Sequence, residues 1–408
     1  MKTRTLTGTT HASLAIIASR MVNLAGKFAL SFFIARYLGL AELGLYGLVL
    51  GIVTVFPAIA GFGLSSLLAR EAVTQKPAQF TAVMAQLLKA QSLLYAALLP
   101  LALLIGWLTG QPHLAILTLA LAYAEQLNNA IFDFLIARHQ PLLANVLTTL
   151  RGGLWAFAFM LLAFLHPQAA TLDTVLWIWL AGVTLAIIAF TAKAKSWPWA
   201  QALGQKFSLK TYIEHIRRAG WLYVGSIATL LGQNIDRYIV TLFLGLEATG
   251  VYVLFWSIGN ALYNLTVSGV LQLARPHLIQ ARQKAKHYAV VYRQTAGRTL
   301  VSVLATQLPV ALVFPLALPW LQRPLVEFYL PALWLVQVGM ALRTGLEFFA
   351  TGYYAHQRDA HIAQLNLLLL GLTVACNFAL LPFLGLYGAA AAIGIAALFC
   401  LPYLKVRA

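Results

Sequence analysis

Long apolar runs, each about the length that crosses a bilayer, follow one another along almost the whole chain. A membrane span needs about 20 residues as a helix. By that measure the pattern predicts twelve transmembrane helices, over residues 13–37, 43–68, 82–108, 113–137, 142–165, 172–192, 218–244, 250–274, 298–321, 325–355, 362–381 and 386–404. The fold predicted from this pattern is an all-α polytopic membrane protein.

The first of these helices carries a polar face inside its apolar run. Arg20, Asn23, Lys27 and Ser31 are spaced by three and four residues, so they share one side of a helix. A cation inside the membrane costs about 3 kcal/mol or more. We therefore expect these cations to be compensated by acidic partners, by water at the membrane surface, or by an anion that the protein handles.

Composition supports the membrane assignment. The chain is 61% hydrophobic and 10% charged, with a mean hydropathy of +0.80, whereas soluble domains carry about 25% charged residues. The net charge is +17. The connections on one predicted side hold nearly all the Lys and Arg residues, and the connections on the opposite side hold only Arg36 and Arg323, which is the distribution of the positive-inside rule. Both termini are therefore predicted to be cytoplasmic, and no nucleic-acid partner is needed.

The longest connection divides the chain near its middle. We predict an N-terminal six-helix lobe over 1–192, a basic cytoplasmic linker over 193–217 and a C-terminal six-helix lobe over 218–408. Within the linker, the spacing of Leu209, Tyr212, Ile213 and Ile216 indicates an interfacial amphipathic helix, and an ordinary basic tether is the alternative.

A turn recurs in both halves. Leu38–Tyr46 and Leu244–Tyr252 share Leu, Gly, Leu, Gly and Tyr at identical spacing, 206 residues apart. The same offset aligns the polar face of the first helix with Ser226, Gln233 and Arg237 on the seventh. With six helices in each half, the repeats are predicted to be parallel, as two lobes around a central cationic cavity.

Several of these motifs carry a resemblance to a known family. The Ala35–Gly39 turn leading to a Gly and a Tyr, the Asn234–Arg237 segment, and the Leu381–Phe383 and Gly388–Ala390 segments resemble the polysaccharide-flippase family. That family lies in the superfamily of multidrug and toxic compound extrusion transporters and lipid II flippases. The resemblance implies an alternating-access fold that moves lipid-linked O-antigen, capsule or exopolysaccharide units.

Ionisable residues inside predicted spans are the candidate functional residues. The cations proposed to bind substrate are Arg20, Lys27, Arg237, Arg343, Lys89 and Arg151, and the acids proposed to couple transport to an ion are Glu125 and Asp236. Each has a structural alternative. Arg20 could reach the membrane surface, Lys89 and Arg151 could anchor their helices there, Arg343 could pair with Glu347 four residues on, and Asp236 could be a structural partner.

The predicted function is a flippase that moves an undecaprenyl-diphosphate-linked oligosaccharide from the cytoplasmic to the outer leaflet of a bacterial inner membrane. Its partners would be that lipid-linked glycan, membrane lipids and other polysaccharide assembly proteins. The alternative is an ion-coupled multidrug antiporter of the same fold. Its cationic substrates would require acidic residues in the cavity, whereas cations outnumber acids inside the predicted spans. The sequence has no Walker A motif, metal-ligand spacing or nucleophile elbow, so we predict neither an enzyme nor a cofactor, apart from coupling to H⁺ or Na⁺.

Overall fold

The computed structural model describes residues 6–73, 75–204, 209–282 and 285–405. Within these ranges the chain forms helices and turns and no strand. The helices are α1 Leu6–Phe33, α2 Leu40–Gly61, α3 Leu64–Ala72, α4 Pro77–Thr109, α5 Pro112–Ala137, α6 Pro141–Thr149, α7 Trp155–Leu165, α8 Leu172–Lys193, α9 Trp199–Gly204, α10 Leu209–Gly232, α11 Ile235–Thr266, α12 Gln272–Ala281, α13 Ala285–Leu321, α14 Pro324–Phe328, α15 Leu330–Ala355, α16 Asp359–Leu384 and α17 Leu386–Lys405.

Short π-helical turns extend or join several of these helices. They cover Ile34–Leu38 after α1, Leu150–Leu154 between α6 and α7, and Val267–Leu271 between α11 and α12. A short 3₁₀ turn, Pro167–Ala169, precedes α8. Each π turn continues the helix before it, so each joined pair forms one long helical rod.

All twelve predicted helices are found as helical segments, and the all-α polytopic fold is confirmed. Among the described residues, eight stretches are long and apolar enough to cross a membrane. One of them, Tyr223–Ala281, is 59 residues long, about three times what one crossing of a 30 Å hydrocarbon core requires. It contains a break at Gly245, where φ is 79°.

The chain packs into two compact units. The first contains the residues up to Leu30 and Ile52–Tyr223, and the second contains Ser31–Gly51 and Val224–Ala408. This division differs from the predicted lobes, because Ser31–Gly51 packs with the second unit.

The predicted linker also packs as part of the first unit. Trp197 and Trp199 lie against the buried cluster around Phe80 and Phe190. Tyr212 and Ile216 of α10 pack against the same cluster, while Ile213 is exposed. The amphipathic helix predicted here therefore exists, and its apolar face packs on the protein.

Within the second unit, the repeated turn forms a reciprocal contact. Gly39 and Gly245 both have positive φ, 115° and 79°, which a side chain rarely tolerates. A Cβ on Gly44 would lie 2.2 Å from the Leu246 oxygen, and one on Gly250 would lie 1.9 Å from the Leu40 oxygen. Because the 206-residue offset relates Gly44 to Gly250 and Leu40 to Leu246, each turn makes the same contact on the other, with local two-fold symmetry.

Candidate functional site

A cluster of polar side chains lies inside the first unit. The Arg151 Nη1 atom donates to Glu125 Oε2 at 2.7 Å and to Asn129 Oδ1 at 2.9 Å. The Trp179 indole donates to Glu125 Oε1 at 3.2 Å. Since the Arg151 and Glu125 side chains are 14% and 17% exposed, this is a largely enclosed ion pair.

Lys27 lies beside this pair. Its ammonium group is close enough to Glu125 and Arg151 to interact electrostatically with both, and the residue keeps accessible surface. The cluster therefore contains two cations and one carboxylate, with the lysine on its accessible side. We name Lys27, Glu125, Asn129, Arg151 and Trp179 the Lys27 cluster.

Close helix packing brings Lys27 to this position. A Cβ on Gly26 would lie 2.7 Å from the Gly153 oxygen, and one on Gly153 would lie 2.6 Å from the Asn23 Cα atom. Helix α1 therefore crosses directly over the π turn that contains Arg151. Backbones can approach this closely in a membrane only where small residues face each other.

A second polar cluster lies inside the second unit. Arg275 Nη2 donates to Glu347 Oε1 at 3.2 Å. Tyr263 lies within interaction range of both Glu347 and Arg343, and Arg343 Nη1 donates to the Gly232 oxygen at 3.4 Å. Tyr263, Arg343 and Glu347 line a cavity of about 20 Å³ together with Thr229 and Asn366. The cavity has room for about one water molecule.

This second cluster adds a residue that sequence reasoning missed. Glu347 bonds to Arg275 of α12, while Arg343, four residues before Glu347, interacts with the same carboxylate electrostatically. Arg275 lies just beyond the predicted span 250–274, whereas α12 continues the helical rod through Gln272–Ala281.

Arg237 and Asp236 are both buried in the second unit, each 1% exposed. Arg237 Nη1 donates to the Gly47 oxygen at 2.8 Å, and its guanidinium lies 4.5 Å from the Trp256 ring centre. The Asp236 carboxylate accepts from the Arg237 backbone N–H at 2.8 Å and from the Tyr252 hydroxyl. These contacts support the structural alternative for Asp236 and place the Arg237 guanidinium away from any open surface in this conformation.

The remaining two predicted cations are Lys89 and Arg20. Lys89 Nζ donates to the Leu203 oxygen at the end of α9, a contact typical of a helix-end anchor. The Arg20 side chain lies outside the described residues. Of the six predicted cations, the structure therefore brings Lys27 and Arg151 together in the first unit. Lys89 contacts α9 in the same unit, and Arg237 and Arg343 belong to the second unit.

A resident metal ion is not suggested by the described part of the chain. Within it, no group of three or more His, Cys, Asp and Glu side chains could hold a metal ion. The chemistry available at the two clusters is therefore that of fixed charges, amide groups and indole or phenol donors.

The helical rods and enclosed ion pairs define a polytopic all-α membrane protein, and comparison with known proteins gives its family. Residues 10–274 match the family described as polysaccharide biosynthesis protein, and the chain belongs to this family. No curated protein matches the chain.

Solved structures share the fold. A lipid II flippase, MurJ, in an inward closed conformation has a TM-score of 0.79 at 14% identity, over 98% of this chain and 88% of that one. An inward-facing multidrug resistance MATE family transporter of the MOP superfamily has a TM-score of 0.72 at 16% identity, over 97% of each chain. At these identities the likeness concerns the fold.

Proposed function

We propose that this protein is a flippase for an undecaprenyl-diphosphate-linked oligosaccharide. The glycan and diphosphate would cross from the cytoplasmic to the outer leaflet of the bacterial inner membrane by alternating access, while the polyprenyl tail stays in lipid. Membership of a polysaccharide biosynthesis family and the fold shared with a lipid II flippase support this proposal.

The Lys27 cluster is the observation that carries it. Arg151 is held by a carboxylate and an amide, and Lys27 lies beside the same carboxylate and keeps accessible surface. The cluster combines two cations with one carboxylate, and Lys27 is a cation in it that a ligand can reach. A lysine ammonium is a point charge that suits a phosphate oxygen, so Lys27 is proposed to contact the diphosphate.

Glu125 is the residue proposed to couple transport to protons. Its carboxylate holds Arg151 through a bond of 2.7 Å, so protonation of Glu125 would release the guanidinium toward an anion beside Lys27. Asp236 keeps its proposed alternative role as a structural acid, because its oxygens are occupied by the Arg237 backbone and Tyr252. The membrane potential would add about 2.3 kcal/mol per charge per 100 mV in favour of outward movement of an anion.

The experiment replaces Lys27 and follows the lipid-linked glycan in cells depleted of the native protein. Lys27→Ala is expected to leave the glycan on the cytoplasmic leaflet and to lower surface polysaccharide at least tenfold, while Lys27→Arg retains part of the activity. The matched control is Lys193→Ala, which removes an exposed lysine at the end of α8 and is expected to leave surface polysaccharide unchanged. Normal surface polysaccharide with Lys27→Ala, at wild-type protein levels, would contradict the proposed role of Lys27.

A multidrug antiporter is the second candidate, because the fold is shared with a MATE family transporter. Such a transporter would protect cells from cationic drugs, and its cavity would require acidic groups accessible to the drug. In the two clusters described above, Glu125 and Glu347 each bond to an arginine, which disfavours a cation. Drug susceptibility of the depleted cells distinguishes the two functions: the flippase proposal expects no change, and the antiporter expects increased sensitivity.

The proposed location is the bacterial inner membrane with both termini cytoplasmic. The asymmetry of Lys and Arg between the two sets of connections supports this orientation. Reporter fusions at residue 408 and in the connection near Gln111 test this orientation. A reporter that is active only in the cytoplasm is expected to be active at residue 408. A reporter that is active only outside the membrane is expected to be active near Gln111.

A further inference from the structure

Helix α13, and the helical rod that ends with α12, are longer than a membrane core requires. Helix α13 has 37 residues, about 55 Å at 1.5 Å per residue, against a hydrocarbon core of about 30 Å. Its apolar portion begins near Leu300, so the turns from His287 to Arg298 extend toward the aqueous surface. Since α12 ends at Ala281, the two helices run side by side through this surface layer.

A groove of about 530 Å³ lies between these projecting segments, inside the second unit. On α12 and the π turn before it, Gly269, Leu273, His277 and Gln280 line the groove, and on α13 it is lined by His287, Val291, Gln294 and Arg298. The spacings of three, four and seven residues show that one continuous face of each helix is turned toward the groove. We name this feature the α12–α13 groove.

Apart from Thr295, whose hydroxyl donates to the Val291 oxygen at 2.8 Å, the polar side chains of the groove have no hydrogen-bond or ion-pair partner among the described residues. This holds for His277, Gln280, His287, Gln294 and Arg298, and no carboxylate lies among the residues that line the groove. Elsewhere in the second unit, by contrast, Arg275, Arg282 and Arg323 each bond to a carboxylate or a backbone carbonyl. The groove therefore presents an uncompensated guanidinium with imidazole and amide groups around it, which suits a phosphate.

Apolar side chains are exposed in the groove and on α13 one turn beyond it. Leu273 is 65% exposed and Val301, one turn beyond Arg298, is 66% exposed. A ligand that satisfies both ends must carry a phosphate and an apolar chain next to each other. Lipids of the surrounding leaflet have this construction, and they reach the groove by lateral diffusion, without crossing the protein.

We propose that the α12–α13 groove binds the headgroup of an anionic phospholipid of the surrounding leaflet. The phosphate lies against Arg298, and the histidines and glutamines bind the remaining headgroup oxygens. Its acyl chains follow the exposed Leu273 and Val301 surface. This site is separate from the Lys27 cluster, which belongs to the first unit, so the proposal holds whatever substrate the protein transports.

The structure offers matched variants for a test. Arg298→Gln removes the guanidinium of the groove, while Arg293→Gln removes an exposed arginine on the same helix that does not line it. Gly269→Leu fills the groove, since a Cβ there meets no atom within 4 Å, and Gly297→Leu adds the same side chain at another open position. Neither glycine has positive φ, so both substitutions suit the helical backbone.

The measurement is native mass spectrometry of the full-length protein from nanodiscs of equimolar phosphatidylglycerol and phosphatidylcholine. The wild type is expected to retain phosphatidylglycerol at least tenfold more than phosphatidylcholine. Arg298→Gln and Gly269→Leu should each reduce the retained phosphatidylglycerol about tenfold, which corresponds to about 1.4 kcal/mol. Arg293→Gln and Gly297→Leu should stay within twofold of the wild type, and thermal unfolding of each variant verifies that it is folded.

Several results would overturn the proposal. Equal losses with Arg293→Gln would show binding to general surface charge, and equal retention of the two lipids would show an apolar surface without a headgroup site. Displacement of phosphatidylglycerol by millimolar inorganic phosphate would assign the groove to free phosphate. Displacement by an equimolar polyprenyl diphosphate would assign it to the proposed transport substrate instead of a resident lipid.

Discussion

Individual charged residues in the membrane differ sharply in what surrounds them. Arg151 is bound to Glu125 and Asn129 and Arg237 is buried against Gly47 and Trp256, whereas Lys27 keeps accessible surface. A cation enclosed by the protein contributes to stability, and a cation with accessible surface can also contact a ligand. These three cations of the predicted spans are therefore assigned two different roles.

The Arg151–Glu125 pair gives a prediction about stability. Arg151→Gln or Glu125→Gln alone leaves a largely enclosed charge without its partner, and each is expected to destabilise the protein by about 3 kcal/mol. The double variant removes both charges, so a double-mutant cycle should give a coupling energy of about 1–3 kcal/mol. Thermal unfolding in detergent measures it, and strictly additive losses would show that the two side chains do not interact.

Arg237 gives a second prediction at this scale. Arg237→Ala removes the bond to the Gly47 oxygen and the contact with Trp256 beside buried Asp236, so a loss of about 3 kcal/mol in stability is expected. Arg293→Ala, at an exposed position, should stay within about 0.5 kcal/mol of the wild type. If Arg237→Ala unfolds like the wild type and only transport falls, Arg237 binds substrate as the sequence suggested.

The residue scale also shows how far sequence reasoning reaches. The unusual placement of Lys27 and Arg151 in apolar runs was visible, because charges are costly there. Which acid pairs with which cation was not visible. Glu347 has a cation four residues before it on its own helix, yet it bonds to Arg275 of another helix, and only the three-dimensional packing decides between the two.

At the scale of helices, the repeated turn was the feature that the sequence predicted best. Five identical positions at one spacing indicated a repeat, and the structure places the two copies in reciprocal contact through Gly44 and Gly250. The buried tyrosines of the two copies, Tyr46 and Tyr252, are each 1% exposed. The π turns were not predicted, because a single extra residue in a helical turn leaves the apolar pattern nearly unchanged.

The repeated turn gives a prediction for single glycines. Gly250→Ala would bring a methyl group to 1.9 Å from the Leu40 oxygen, so the two turns must separate, at a cost of about 1–3 kcal/mol. Gly371→Ala on α16 meets no atom within 4 Å and is expected to stabilise the helix by about 0.4–1 kcal/mol. Thermal unfolding of the two variants should therefore move in opposite directions, and equal shifts would contradict the close contact.

For the whole molecule, the class was readable from the sequence, whereas the packing of one short segment was not. Apolar runs predicted a polytopic all-α membrane protein, since only helices and closed barrels satisfy backbone groups in lipid. The C-terminal lobe was predicted to begin at residue 218, and the second unit resumes at Val224, but Ser31–Gly51 also packs with that unit. Helices α1, α2 and α10 therefore each contribute to both units, which no loop-based boundary could indicate.

The central claim for the whole molecule is that the protein moves an anionic, lipid-linked glycan across the membrane through the Lys27 cluster. The most direct measurement reconstitutes the purified protein in vesicles with a fluorescent polyprenyl-diphosphate oligosaccharide and follows its accessibility to an external glycosidase. The account predicts that wild-type and Lys193→Ala protein expose the inner-leaflet lipid at equal rates, and that Lys27→Ala slows this at least tenfold. Equal rates for Lys27→Ala and the wild type, or no transfer by the wild type above protein-free vesicles, would contradict it.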